Sequence, residues 1–217
     1  MNIEEIKKFS KEVGSRFYFD HDLKKSNWFN IGGKTKVYFK PDTLADLVSF
    51  LKKFGNNEKI HILGAGSNTL ISDNLYDGIV IKLGKNFSNI SLLPNNIIVA
   101  GSSCLDAKLS EFAQDNEIGD LEFLACIPGT VGGGLKMNAG CFGKEFKDIL
   151  ISIQAIDRIG NVITLPANKV LFEYRNNNLP NDLIFLSASV KGEKKDKDAI
   201  KKKILELKKK KDSTQPT

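Results

Sequence analysis

The chain has 217 residues, 41% of them hydrophobic, enough to fill one large core or two small ones, and no apolar run reaches membrane-spanning length. Its formal charge of +6 is local: residues 191–217 carry 11 lysines against five acids, whereas residues 1–190 carry 21 basic and 21 acidic residues. A lysine-only tail without interleaved aromatics lacks the groups that read nucleic acid, and Met1–Glu5 lacks the basic head and apolar stretch of a secretory leader, so the expectation is a cytoplasmic protein with neither a nucleic-acid nor a membrane partner.

In chain order, residues 2–13 predict an amphipathic helix through Ile3, Ile6, Phe9 and Val13. Trp28 and Phe29 are expected to anchor the start of the first lobe beside a Gly32-Gly33 turn. Lys36–Lys40 reads as a strand ending at Pro41; Asp42 or Thr43 then caps a helix with Leu44, Leu47, Val48 and Leu51 on one face, stopped near Gly55. Ile60–Leu63 and Gly78–Leu83 are short buried strands, and Ser88–Leu93 with Ile97–Ala100 form a hairpin across Pro94-Asn95-Asn96. Leu105–Glu117 fits a helix ended around Gly119. A second hairpin joins Ile149–Asp157 to Asn161–Leu165 across Arg158-Ile159-Gly160, and Leu183–Val190 is the last strand. The lysine-rich tail places Ile200, Ile204 and Leu207 at helical spacing, a charged helix with one packed edge. Helices and strands mix without long βαβ regularity, which gives an α+β class with two lobes: 1–86, 87–192 and a basic helical tail over 193–217.

Four constellations carry the chemistry. Residues 128–143 hold six of the 18 glycines (Gly129, Gly132, Gly133, Gly134, Gly140, Gly143), a density that marks sharply turning backbone or close approach to a ligand, with bare N–H groups suited to an anion. A polar linker is the alternative, but Leu121, Phe123, Leu124 and Ile127 lead directly in. Leu63-Gly64-Ala65-Gly66-Ser67-Asn68-Thr69 follows a strand, yet Thr69 stands where a dinucleotide fingerprint wants its third glycine and no helix follows. What survives is an anion nest, or, taken alone, an ordinary pair of turn glycines. Gly33-Lys34-Thr35 mimics the end of a P-loop, but Trp28 occupies the required first glycine. In Phe172-Glu173-Tyr174-Arg175-Asn176-Asn177-Asn178, Arg175 has a planar fork for a carboxylate or phosphate, though alone the segment reads better as a surface arginine beside Glu173. Cys141, without a histidine nearby, reads as a small apolar filler. The three cysteines form no CxxC pair, which points to reduced thiols, and His21 and His61 lack ligand spacing, so no metal is expected.

Taken together, Gly32-Gly33, Gly64-Ala65-Gly66-Ser67-Asn68, Leu121-Glu122-Phe123, Ile127-Pro128-Gly129-Thr130-Val131-Gly132-Gly133, Met137-Asn138-Ala139-Gly140 and Tyr174-Arg175 resemble, in this order, the UDP-N-acetylenolpyruvoylglucosamine reductases of bacterial peptidoglycan synthesis. The resemblance spans roughly residues 20–217. It implies a two-lobed FAD-binding module of the vanillyl-alcohol oxidase type, with Gly64, Ala65, Gly66, Ser67 and Asn68 at the FAD diphosphate. Pro128, Gly129, Thr130, Val131, Gly132 and Gly133, with Asn138, Ala139 and Gly140, would contact diphosphate and flavin ring. It implies NADPH as hydride donor, a UDP-sugar enolpyruvyl ether as substrate and Arg175 as the catalytic cation; neither loop contains a histidine, so the FAD is expected to be non-covalent. The family's proton-donating serine follows a Gln-Pro pair represented here by Gln215-Pro216, and its glutamate comes later still. The expectation is therefore a module lacking the C-terminal substrate domain: an FAD-binding chain without turnover on its own, a fragment, or one half of a split enzyme completed by a separate C-terminal chain. A non-flavin nucleotide-binding protein is the weaker alternative. Lys136, beside the Met-Asn-Ala-Gly run, departs from the less polar residue usual there.

Overall fold

A computed structural model describes residues 1–214; the Gln215-Pro216 pair lies outside the described residues. The first half begins with α1 (Ile3–Ser10), started by the Asn2 side chain accepting from the Glu5 N–H at 3.2 Å, with Ile6 and Phe9 buried. It ends three residues short of the expected Val13. Then come β1 (Arg16–Asp22), β2 (Lys34–Lys40), α2 (Leu44–Phe54), β3 (Ile60–Ile62) and β4 (Tyr76–Ile81). Thr43 is the cap of α2, accepting from Asp46 N–H at 3.1 Å. The sheet runs β1-β2-β4-β3, antiparallel between β1 and β2 and parallel for the other two pairs. β1 is an element the sequence pattern did not mark. Its side chains alternate exposed and half-buried on an edge strand, so it lacks a continuous apolar run.

The second half comprises β5 (Ile90–Leu93), β6 (Ile97–Gly101), α3 (Asp106–Asp115), β7 (Ile118–Gly119), α4 (Val131–Lys136), β8 (Gly140–Cys141), β9 (Lys144–Glu145), β10 (Leu150–Ile156), β11 (Val162–Pro166), β12 (Ile184–Lys191), β13 (Glu193–Lys194) and α5 (Lys197–Thr214). Its main sheet runs β11-β10-β12-β6-β5, antiparallel throughout. Both expected hairpins are present, and the β5–β6 turn sets Asn95 and Asn96 at φ of 62° and 59°, the left-handed region asparagine tolerates. α5 carries the expected narrow seam of buried Ile200, Ile204 and Leu207.

Two cores form. One packs α1 and α2 on the first sheet around stacked Phe17 and Phe39, ring centroids 4.2 Å apart, and takes in Ile156, Ile184 and Leu186 from the second sheet. The other surrounds Phe123, Leu124, Leu135, Phe146 and Ile153. The sheets are tied further where the β10–β11 turn meets the end of α2. A Cβ on Gly55 would stand 1.8 Å from the Arg158 carbonyl oxygen, so only glycine fits, and Arg158 Nη2 donates to Ile60 O at 3.1 Å. No helix among the described residues is long and apolar enough to cross a membrane.

Trp28 and Phe29 do not anchor the lobe as expected: they are 61% and 54% exposed. The anchor is buried Asn27, whose side-chain amide donates to Leu23 O at 2.9 Å and Ile31 O at 2.8 Å. The glycine-rich stretch is likewise more regular than glycine content predicts. Gly132, Gly133 and Gly134 lie inside α4, where a Cβ on Gly134 would stand 2.3 Å from Cε2 of the fully buried Phe146 ring. Close packing, not flexibility, explains that glycine.

Candidate functional site

The two glycine loops meet. The Ser67 hydroxyl donates to Pro128 O at 2.6 Å, and a Cβ on Gly64 would stand 2.9 Å from Thr130 Oγ1. Gly66, at φ +73°, lies so close to Ser26 O that an added Cβ would be 2.6 Å away, and its carbonyl accepts from Trp28 N–H at 3.1 Å. Loop 64–68 is thus wedged between 26–28 and 128–130. Behind 128–132 runs a strap: Gly132 and Val131 N–H donate to Ser102 O and Cys104 O, each at 2.9 Å, and Asp106 N–H donates to Gly129 O at 3.2 Å. The amides of Val131 and Gly132 are therefore spent within the fold. Those of Ala65, Gly66, Ser67, Asn68, Gly129 and Thr130 find no acceptor among the described residues. Unspent N–H groups on two touching loops, with glycines that leave room for close approach, fit the diphosphate of a dinucleotide.

Asp106, the first residue of α3, is wholly buried at this junction, and neither carboxyl oxygen has a partner among the described residues. Burial pushes its pKa up to about 8, so at neutral pH it holds a proton. Sequence reading missed it, because an acid in a first helical turn is ordinary and its burial is imposed by loop 128–130 from another part of the chain.

Asn138 and Gly140 play structural parts. Asn138 is buried at φ +39°; its amide nitrogen donates to Glu145 Oε2 at 2.9 Å and Glu173 O at 3.2 Å, and its oxygen accepts from Lys147 N–H at 3.1 Å. Gly140 sits in the β8–β9 hairpin, where a Cβ would stand 2.3 Å from Lys144 O. Ala139 joins the two, donating to Gly134 O at 2.8 Å and accepting from Phe146 N–H at 3.0 Å. Lys136 ends α4 and donates to Asn181 Oδ1 at 2.8 Å, which gives the departing charge a partner.

Arg175 occupies a tight turn at φ +57°, closed by reciprocal backbone bonds between Glu173 and Asn176 at 3.0 and 3.2 Å. Its guanidinium lies 5.1 Å from the centre of the exposed Tyr174 ring. Both residues line a cavity of 420 Å³ with Gly140, Cys141, Lys144, Glu145 and Lys147, so the structure brings Arg175 beside the glycine-rich segment. Lys147 hydrogen-bonds Glu145 and holds its carboxyl below the usual range, leaving it ionised. Burial, with Cys126 beside it, pushes the Cys141 thiol up to about 12; it donates to Phe123 O at 3.2 Å and behaves as the filler expected of it. Among the described residues no three His, Cys, Asp or Glu side chains converge on a metal site.

An FAD binding domain family matches residues 35–166. The chain is 72% identical over all 217 residues to the UDP-N-acetylenolpyruvoylglucosamine reductase of Pelagibacter ubique, covering 72% of that protein's length. It is 48% identical over 204 residues to the same enzyme of Rickettsia conorii, covering 94% of this chain and 69% of the relative. The crystal structure of the Thermus caldophilus enzyme superposes with a TM-score of 0.80 at 25% identity, over 94% of this chain and 71% of that one. p-Cresol methylhydroxylase shares the fold at a TM-score of 0.65 and 13% identity, over 89% of this chain and 43% of that one. The two-lobed FAD-binding architecture expected from the motifs is present, FAD is the cofactor of the domain family it matches, and the chain belongs to the UDP-N-acetylenolpyruvoylglucosamine reductase family.

Proposed function

We propose that the chain holds FAD non-covalently between Gly64–Asn68 and Pro128–Gly133, with Asn138–Gly140 shaping the wall beside the ring. Its reaction is reduction of a UDP-N-acetylglucosamine enolpyruvyl ether to UDP-N-acetylmuramate with NADPH, in the cytoplasm. The observation that carries this reading is the 2.6 Å bond from Ser67 to Pro128, which makes one cradle of two loops with unspent N–H groups. When bound, FAD relays a hydride from NADPH to the enolpyruvyl double bond.

The chain's own contribution to the chemistry is positional and electrostatic. Hydride addition builds negative charge next to the substrate carboxylate, and a permanently charged, planar guanidinium can grip that carboxylate through two parallel N–H groups. Arg175 supplies it from a turn whose backbone is fixed by Asn138 and whose side chain rests on Tyr174. Tyr174 also covers one side of the guanidinium, which limits the directions from which the cation can be approached.

The test is a titration of purified, deflavinated chain with FAD, followed by the enolpyruvyl sugar. Uptake of FAD, and a sugar-dependent change in flavin absorbance that weakens in Arg175→Ala, supports the reading. A colourless protein that ignores added FAD contradicts it.

A further inference from the structure

We propose that Glu145 is a positioning residue for Arg175: its carboxylate fixes the orientation of the Asn138 side-chain amide, and through that amide the turn that carries the guanidinium. The proposal rests on the reading of Arg175 as the cation that grips the substrate carboxylate. Glu145 and Arg175 line the same 420 Å³ cavity, and Asn138, wholly buried, bonds Glu145 and the turn at once. The groups around Asn138 admit one arrangement, because a carboxylate and a peptide carbonyl only accept and a peptide N–H only donates. Asn138 Nδ2 therefore faces Glu145 Oε2 at 2.9 Å and Glu173 O at 3.2 Å, while Oδ1 faces the Lys147 N–H at 3.1 Å. Glu145 is itself held from two sides. Lys147 Nζ lies 2.7 Å from the same carboxylate oxygen, and the Glu145 N–H donates to Asp148 Oδ2 at 2.8 Å. Without an acceptor at position 145, one N–H of a buried amide is orphaned.

Arg175 needs an anchor outside its own turn because its backbone, at φ +57°, occupies the left-handed region, which a residue with a side chain keeps only where its surroundings hold it. Buried Asn177 anchors the far side of the turn, its amide donating to Leu135 O at 3.0 Å; on the near side the tether is the bond from Asn138 to Glu173 O. The other cations of the cavity are committed, Lys144 to Asp120 and Lys147 to Glu145, whereas no ion pair among the described residues involves Arg175. Its guanidinium is free for a ligand, and its aim is set by the backbone beneath it. A grip on a carboxylate through two parallel N–H groups depends on that aim.

The experiment compares the full FAD-loaded chain with its Glu145→Ala, Glu145→Gln and Arg175→Ala variants and the Glu145→Ala, Arg175→Ala double variant. Affinity for the enolpyruvyl sugar is read from flavin absorbance, and the mobility of the turn from hydrogen–deuterium exchange over residues 172–178. Glu145→Ala is expected to bind the sugar about tenfold more weakly than the wild type, with FAD affinity unchanged, and to exchange faster over 172–178. Glu145→Gln keeps an acceptor for Asn138 and should recover most of both. On the Arg175→Ala background, Glu145→Ala should cost no further sugar affinity, because no guanidinium is left to aim. Wild-type affinity and exchange in Glu145→Ala, a Glu145→Gln variant no better than Glu145→Ala, or additive losses in the double variant overturns the proposal and leaves the role of Arg175 intact. A wild type that binds FAD but whose flavin ignores the sugar overturns the reading of Arg175 and this proposal with it. If Glu145→Ala fails to fold, Glu145→Met, which fills the space without an acceptor, takes its place with the same outcomes.

Discussion

The side-chain amide of Asn138 donates to the backbone carbonyl of Glu173 across 3.2 Å, and that bond hangs the Arg175 turn on the glycine-rich segment. The same buried side chain holds Lys147 and Glu145, so one residue sets the relative position of three stretches around the 420 Å³ cavity. Asn138→Ala removes one of the two donors to the Glu173 carbonyl, the Asn176 N–H remaining, and leaves the Lys147 N–H without its partner. A loss of about 1–3 kcal/mol in denaturant unfolding is expected, together with weaker binding of the enolpyruvyl sugar. A variant as stable as the wild type would show that the strut carries no load.

Gly134 faces Phe146 so closely that a methyl group cannot fit without moving the ring. Gly134→Ala should cost about 1–3 kcal/mol through overpacking. Phe146→Leu opens room, so the double variant should lose less than the sum of the single losses. Additive losses in a double-mutant cycle would mean that the contact is not what requires glycine.

Much of this arrangement is legible in the amino-acid order, and the boundary of legibility has a physical cause. Hairpin turns at Asn95-Asn96 and Gly160 declare themselves because their backbone conformation needs particular residues. Helix α2 declares its start through Thr43 and its face through Leu47 and Leu51. Both glycine loops stand out by composition, and the fold brings them into contact through Ser67 and Pro128. What stayed hidden depends on tertiary neighbours. β1 is recognisable only once Phe17 stacks on Phe39, α4 takes glycine at position 134 because Phe146 crowds it there, and Asp106 is buried by a loop more than twenty residues away.

Apo-protein stability should depend on pH through Asp106. Its folded pKa, about 8, lies above that of an unfolded aspartate, so the folded state binds the extra proton. This contribution is fully present below the ordinary carboxylate range, declines as pH rises toward 8, and is flat above it. Asp106→Asn removes that decline, and its thermal midpoint should exceed the wild type's above pH 8. Parallel stability profiles for the two proteins from pH 5 to 9 would place the carboxyl in contact with water or with a cation.

Arg175→Lys keeps the charge and loses the fork. FAD affinity should be unchanged, while affinity for the enolpyruvyl sugar, read from the change in flavin absorbance, falls by about tenfold or more. Equal sugar affinity in both proteins would remove Arg175 from the carboxylate site.

Hydrogen–deuterium exchange of the full chain, with and without FAD, reads the joined loops directly. Peptides covering residues 64–69 and 128–134 should both slow on FAD addition and to a similar degree, because unspent N–H groups on each side take the same ligand. Protection confined to one loop, or absent from both while FAD is bound, would contradict a shared diphosphate cradle.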